Sequence, residues 1–312
     1  NYLAEYRYRH DSRPVVTCWN GSFPPGRCRK NNCRALHCQI PEAGYATKLI
    51  EMKNKHLTSE AAPSPTQAII SIEHLSHRFS DGSAGLDDVT LTIFSGEFVI
   101  LAGPNGSGKS TLLKHLNGIL SPSRGAIFLK GRSVSENLKW TRRMVGMVFQ
   151  DADSQIVGET VWEDAAFGPQ NLSFKKPIVQ EKVQSALKTV GLAHLAEKPP
   201  YLLSGGEKRR LAIAGVLAMD PRVIAFDEPF SNLDYPGTCQ VLEQMKQLQQ
   251  NGHTLIVATH EIDRVYRLAD RLIIMCKGRL VKNGAPQTVM ADAAAYGLKP
   301  PFIHNLAPGK NP

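Results

Sequence analysis

A glycine-rich stretch ending in a lysine and two hydroxyls carries the strongest chemical signal in the chain. An apolar run, Phe98, Val99, Ile100, Leu101 and Ala102, stops at Gly103. Pro104, Asn105, Gly106, Ser107 and Gly108 follow, then Lys109, Ser110, Thr111 and a helix-like run at 112–116. The spacing is G-x-x-x-x-G-K-[ST] in a strand–loop–helix setting. The glycines reach backbone angles that a Cβ forbids and bring successive N–H groups close to a phosphate. A helix starting near Lys109 aims its positive end at the same point. Such a loop binds a nucleoside triphosphate, with Lys109 reaching the β- and γ-phosphates and the Ser110 hydroxyl on Mg²⁺. By itself it says nothing about purpose.

Asp227 and Glu228 form the second site, at the end of the apolar run 222–226. An open α/β sheet binds ligands at the carboxyl ends of its strands. One carboxylate there holds Mg²⁺, usually through a water, and a second orients or polarises an attacking water. Two acids at a strand end are common on their own, but not downstream of this loop. Ser204, Gly205 and Gly206 precede a helix and form another anion-binding helix start. Two such starts leave two arrangements open. Both face one nucleotide, or they face nucleotides across a dimer interface.

The elements that must position these groups can be read in outline. Strands are expected at 69–72, 75–79 and 86–94, the last alternating in polarity, with a turn at Asp81-Gly82. The loop helix should end near Asn117-Gly118. Strands at 126–129 and 144–149 follow, and Gln150 closes the second. Residues 151–203 read as a small helical subdomain inserted between strands. It has helices at 160–166 and 178–190, punctuated by Pro169, Pro177, Pro199 and Pro200. A helix at 208–219 stops at Asp220-Pro221. Then come a strand at 222–226, an amphipathic helix at 239–249 with Val241, Leu242, Met245 and Leu248 on one face, and a strand at 254–258 ending in Thr259-His260. Strands 271–276 and 279–281 make a hairpin around Lys277-Gly278.

With 312 residues, 42% hydrophobic and 21% charged, the chain has the length and composition of a folded protein. No apolar run approaches the roughly 18 residues of a membrane span, and no secretory signal is visible. The formal charge of +9 reads as a modest lysine and arginine excess, because no arginine-rich block is interleaved with aromatics. Cys18, Cys28, Cys33 and Cys38 lie in a basic, aperiodic extension, residues 1–67, and lack the tight C-x2-C pair of a zinc site. Cys239 and Cys276 read as reduced, partly buried thiols. The first Met is Met52, and the expected natural start lies there, with residues 1–51 an upstream in-frame extension or an artefact of cloning. Residues 58–66 are linker-like. The expected partition is 1–67, then one α/β domain at 68–285 with its helical part at about 151–219, then a short C-terminal extension at 286–312.

The loop at 103–110, Gln150, the string Leu203-Ser204-Gly205-Gly206-Glu207, Asp227-Glu228, Asp234 and His260, in this order, resemble the ATP-binding-cassette ATPases. The resemblance covers roughly residues 68–285, and the five-residue string together with the loop is highly specific. It implies an α/β fold: a P-loop nucleoside triphosphatase core with an antiparallel β subdomain and an inserted α-helical subdomain. It implies ATP and Mg²⁺ as ligands. In that family two cassettes pack head to tail. ATP then lies between residues 103–111 of one subunit and Ser204, Gly205, Gly206 and Glu207 of the other. Phe79 stands where an aromatic, usually Tyr, stacks on adenine. Ser110, Gln150 and Asp227 surround Mg²⁺, and Gln150 links that site to the membrane partner. Glu228 polarises water, His260 contacts the γ-phosphate, and Asp234 helps the two sites communicate. No catalytic position is missing.

Residues 148–155, 163–172 and 203–219 resemble the cobalt/nickel and energy-coupling-factor importer ATPases more closely, and 284–306 is similar to their short extension that helps pair the ATPases. The resemblance implies an ATP-hydrolysing subunit at the cytoplasmic face of the membrane, energising uptake of cobalt or nickel ions or a vitamin. Its partners would be a second ATPase subunit, identical or not, an integral membrane transporter and a substrate-binding membrane component, with no specific nucleic acid. The competing class is a soluble cassette ATPase acting on nucleic acid or ribosomes. The +9 charge favours it. The lack of a long coiled-coil insertion or of tandem cassettes speaks against it.

Overall fold

The computed structural model describes residues 67–298. The N-terminal cysteines, Met52 and the linker-like stretch 58–66 lie outside the described residues, as do 299–312. Strand β1 (Ala68–Arg78) pairs antiparallel with β2 (Ala84–Phe94) and with β4 (Arg124–Leu129), which also pairs with the short β5 (Arg132–Ser133). The order is β2-β1-β4-β5. The two strands expected at 69–72 and 75–79 are one. His74 takes a left-handed φ of 50°, and the register shifts between Ile72 and Leu75, so a bulge bends the strand without ending it.

The second sheet has the order β10-β9-β3-β8-β7-β6. Its strands are β3 (Phe98–Ala102), β6 (Val145–Val148), β7 (Val223–Asp227), β8 (Thr254–Thr259), β9 (Arg271–Cys276) and β10 (Arg279–Gly284). All neighbours pair in parallel except the β9–β10 hairpin. Every residue of β3, β7 and β8 is buried, as continuous apolar runs require when both faces are covered. Alternate residues feed two cores. Val99, Leu101, Ala225 and Ile256 pack with the antiparallel sheet and with Leu112, Leu113 and Leu116 of α1 (Lys109–Leu116). Phe98, Ile100, Phe226 and Val257 face the other helices.

Those helices are α3 (Val161–Asn171), α4 (Lys176–Thr189), α5 (Gly205–Ala218) and α6 (Tyr235–Gln250), followed later by α7 (Ile262–Val265) and α8 (Pro286–Met290). A capping box of Thr160 and Glu163 starts α3, which runs through Pro169 and ends later than expected. Helix α4 has a proline in its first turn, and α3, α4 and α5 pack on one another as the expected helical insertion. Helix α6 begins four residues before the predicted start. Asp234 caps it, and a proline in the first turn is pre-organised for a helix. Helix α2 (Leu138–Met144) was not expected at all. It buries only Thr141, so it has no apolar stripe, and Asn137 caps it by accepting from the Trp140 N–H at 3.0 Å. Val289, Met290, Ala293 and Leu298 pack on the same core as α3 to α6, so this part of the C-terminal segment is docked. Cys239 and Cys276 are free thiols of intermediate burial. Among the described residues no helix is long and apolar enough to cross a membrane.

Candidate functional site

The parallel order β3-β8-β7 brings three loop starts to one edge of the sheet: Gly103 after β3, Glu228 after β7 and His260 after β8. Gly108 caps α1 with φ 101°, and a Cβ there would lie 2.7 Å from the Gly85 carbonyl oxygen. The neighbouring β9–β10 turn steadies the loop, with the Gly278 N–H donating to the Ser107 carbonyl at 3.0 Å. The Ser107 hydroxyl is buried and has no hydrogen-bond partner, so the cradle holds a donor ready for an anion.

Lys109 is 6% exposed. Its ammonium donates to the carbonyls of Gly103 at 2.8 Å and Pro104 at 3.2 Å, and stands 3.8 Å from Glu228 Oε1. Burial pushes its pKa down, while the charges of Glu228 and Asp227 pull it back up. The Ser110 hydroxyl donates to Asp227 Oδ1 at 2.9 Å. Burial raises the Asp227 pKa. The Ser110 hydrogen bond works against that, and the Glu228 charge adds to it. A hydroxyl and a buried, under-neutralised carboxylate in contact make an oxygen donor set that suits a hard divalent cation.

Glu228 is a non-glycine residue at φ 44°, and its N–H donates to the Ala258 carbonyl at 2.8 Å. That turn swings its carboxylate over the end of β8. There Oε2 accepts from the Thr259 hydroxyl at 3.1 Å and from the His260 N–H at 3.4 Å. His260 Nδ1 lies 3.0 Å from Oε1, with the imidazole half-exposed. Lys109, Ser110, Asp227, Glu228 and His260 therefore form one constellation, with a backbone angle of the kind that cores avoid and functional sites retain.

Among the described residues, Gln150, Ser204, Gly205, Gly206, Glu207, Asp234 and Phe79 make no side-chain hydrogen bond or ion pair to these five groups. Gln150 is exposed. It is held through its main chain. Arg209 of α5 donates through Nη1 to the Phe149 carbonyl and through Nη2 to the Gln150 carbonyl, both at 2.5 Å. Ser204 and Glu207 cap α5 reciprocally. The Glu207 N–H donates to Ser204 Oγ at 3.3 Å and the Ser204 N–H to Glu207 Oε2 at 2.7 Å; the Ser204 N–H, then the Ser204 hydroxyl, hold the Glu207 carboxyl below its ordinary range. Ser204 and Gly205 face solvent, and among the described residues no hydrogen bond joins 204–207 to the loop 103–111. Asp234 Oδ1 accepts the Gly237 N–H at 2.9 Å, so its carboxylate starts α6. Phe79 is 40% exposed beside Gly85 and Thr111.

Two residues of this region escaped the sequence reading. The sequence marks Thr259 only as a strand end, and the available signal is a hydroxyl beside a histidine at the close of an apolar run. Arg209, only 3% exposed, lies two residues beyond the 203–207 string, in the stretch 203–219. A buried arginine in a helix needs partners, and that requirement was the available signal.

The sequence pattern described as ABC transporter matches residues 86–231. The energy-coupling factor transporter ATP-binding protein EcfA2 of Methanospirillum hungatei is 43% identical over 247 residues, covering 77% of this chain and 62% of that protein. The chain thus spans less than two thirds of that relative's length. The cobalt import ATP-binding protein CbiO of Rhodobacter capsulatus is 42% identical over 246 residues, covering 77% of this chain and 88% of that protein. The solved structure of cbiO1 from Clostridium perfringens, part of the ABC transporter complex cbiONQ, superposes with a TM-score of 0.66 at 38% identity, over 72% of this chain and 91% of that one. On a relative matched over 88% of its length, and on a fold that carries the phosphate loop and the Asp227–Glu228 pair at neighbouring strand ends, this chain belongs to the ATP-binding-cassette transporter ATPases, beside the energy-coupling-factor and cobalt-import ATP-binding proteins.

Proposed function

We propose that this chain is the ATP-hydrolysing subunit that energises a membrane importer for cobalt or nickel ions or a vitamin, acting at the cytoplasmic face of the membrane. The observation that carries the reading is the contact of Lys109, Glu228 and His260 around one buried carboxylate, with Ser110 on Asp227 beside it. The ammonium of Lys109, resting on two loop carbonyls, moves to the β- and γ-phosphates of ATP, where its charge is better matched. The loop N–H groups and the Ser107 hydroxyl hold the phosphate oxygens. Ser110 and Asp227, with Gln150 reaching in, would hold Mg²⁺, which when bound neutralises charge on the β- and γ-oxygens. Glu228, fixed by Thr259, polarises the attacking water. His260 anchors the γ-phosphate, and its contact with Glu228 couples the two groups. Phe79 stacks on the adenine.

The solvent-facing Ser204 and Gly205 support a second half-site, in which this helix start closes on the ATP of another ATPase subunit. Asp234, rooted in the first turn of α6, relays between the two sites. Gln150, tied to α5 through Arg209, passes closure of the dimer to an integral membrane transporter working with a substrate-binding membrane component. The same reading keeps residues 68–285 as the ATPase domain with its helical part at about 151–219, and 286–312 as an extension.

The test is ATP turnover by the full chain. Lys109→Ala should lower it by at least about 10², as for loss of a preorganised charge partner. Glu228→Gln should still bind ATP and accumulate as a closed dimer. Wild-type turnover in either variant would sink the assignment. Purification from native membranes should recover an integral membrane protein. Recovery of nucleic acid or ribosomes alone would favour the competing class.

A further inference from the structure

Three rings line up between the phosphate-loop helix and the exposed Phe79. The Phe79 ring lies against the backbone of Gly85, where a Cβ would come within 2.7 Å of its Cε2 and 3.2 Å of Thr111 Cγ2. His77 is two residues earlier, near the end of β1, and is buried. Its ring meets Phe79 edge-on, with centroids 4.8 Å apart and planes at 84°. On its other side it meets His115 of α1, with centroids 4.7 Å apart and planes at 73°. His115 is 1% exposed. His115 Nδ1 lies 2.7 Å from the Thr111 carbonyl oxygen, and His77 Nδ1 lies 3.2 Å from the Ser121 carbonyl oxygen. A carbonyl only accepts, so both imidazoles donate through Nδ1. Burial pushes the His115 pKa down and keeps that ring neutral. His115 Nε2 is buried without a hydrogen-bond partner of good geometry.

We infer that His77 is a positioning residue for recognition of the nucleotide base: it holds the Phe79 ring over Gly85 and registers it, through His115, to the helix that carries the phosphate loop. The inference rests on the reading of Phe79 as the base-stacking residue. A half-exposed ring just past a strand end would otherwise turn about its torsions. Freezing one such side chain on binding costs about 2- to 10-fold in affinity. The His77 edge removes that cost beforehand. It also ties the distance between base platform and phosphate cradle to one carbonyl of α1, that of Thr111. Gly85 is part of the same device, since any side chain there would lift the ring.

The experiment uses the full chain and measures equilibrium binding of ATP and of inorganic tripolyphosphate, together with steady-state ATP turnover. His77→Ala should weaken ATP binding and raise KM by about 3- to 10-fold, with kcat at saturation and tripolyphosphate binding as in the wild type. His77→Phe keeps an aromatic edge without the hydrogen bond to Ser121 and should restore most of the loss. Phe79→Ala is the control for the underlying reading and should weaken ATP but not tripolyphosphate. Unchanged ATP binding in Phe79→Ala overturns the stacking reading. If Phe79→Ala weakens ATP while His77→Ala does not, the inference about His77 fails and the stacking reading stands. A parallel fall in tripolyphosphate binding in His77→Ala also overturns it, because His77 would then support the loop and not the base platform.

Discussion

Replacing Arg209 by Met tests how the helical part is wired to the strand end at Gln150. Arg209 is 3% exposed, and its guanidinium bridges two successive carbonyls, Phe149 and Gln150, at 2.5 Å each. Burial pulls its pKa down, and the nearby Asp151 and Asp227 charges work against that. Each hydrogen bond to a charged group is worth about 1.5–3 kcal/mol, so the pair amounts to roughly 3–6 kcal/mol. Met fills a similar volume and spares the desolvation of a cation, which offsets part of the loss. Gln150 is the more exposed of the two residues, so its carbonyl rehydrates more readily than that of the half-buried Phe149. The net loss is about 2–4 kcal/mol, or a fall in Tm of roughly 5–15 °C for a domain of this size. Lys should not rescue it, since one ammonium does not present two parallel donors. Differential scanning calorimetry gives the Tm. Turnover at saturating ATP, under conditions where the variant is folded, gives the coupling. We expect kcat to fall more than ATP affinity, because the phosphate loop is untouched while Gln150 loses its anchor. A Tm within about 1 °C of wild type, with unchanged kcat, would refute the reasoning.

The two loop glycines should respond differently. Gly108→Ala forces a Cβ to within 2.7 Å of a backbone oxygen at φ 101° and should cost more than the roughly 1–2 kcal/mol of the left-handed penalty, whereas Gly106→Ala, at φ 77° with open space around it, should cost only that penalty; denaturant titration separates them. Because the folded protein holds the His115 pKa below its ordinary value of 6.5, the unfolded chain takes up a proton there first. Stability should therefore be flat above that value and decline as pH drops through it, and His115→Phe should remove this component of a urea midpoint measured against pH. Turnover per chain should fall on dilution if a second subunit completes the site, even with residues 103–111 intact; a rate per chain independent of concentration down to the lowest workable level would count against the shared site.

Much of the site is legible from the chain alone because its chemistry is local. The glycines of the loop, Lys109 and Ser110 act through backbone angles and a helix start set within a few residues. The all-buried strands announce themselves as short apolar runs ending in charged or hydroxyl residues, as at Asp227 and Thr259. Ser204 and Glu207 satisfy each other at the first turn of one helix, and Asp234 does the same for α6 through the Gly237 N–H. Elements whose apolar period is short or interrupted are missed or cut short, even where a cap such as Asn137 of α2 is present. Helix α2 buries one residue, and the bulge at His74 splits one strand into two apparent ones.

What only tertiary structure decided is which distant groups meet. Ser110 reaches Asp227 across 117 positions of sequence, and Thr259 reaches Glu228 across 31, because the parallel order sets β3, β8 and β7 side by side. Arg209 finds the carbonyls of Phe149 and Gln150 only once α5 is packed beside the end of β6. The rings of Phe79, His77 and His115 meet edge-on only because the antiparallel sheet lies over α1. Local sequence sets dihedral angles, caps and polarity period. The pairing of side chains far apart along the chain depends on strand order and layer packing, which arise when the two cores on either face of the central sheet form together.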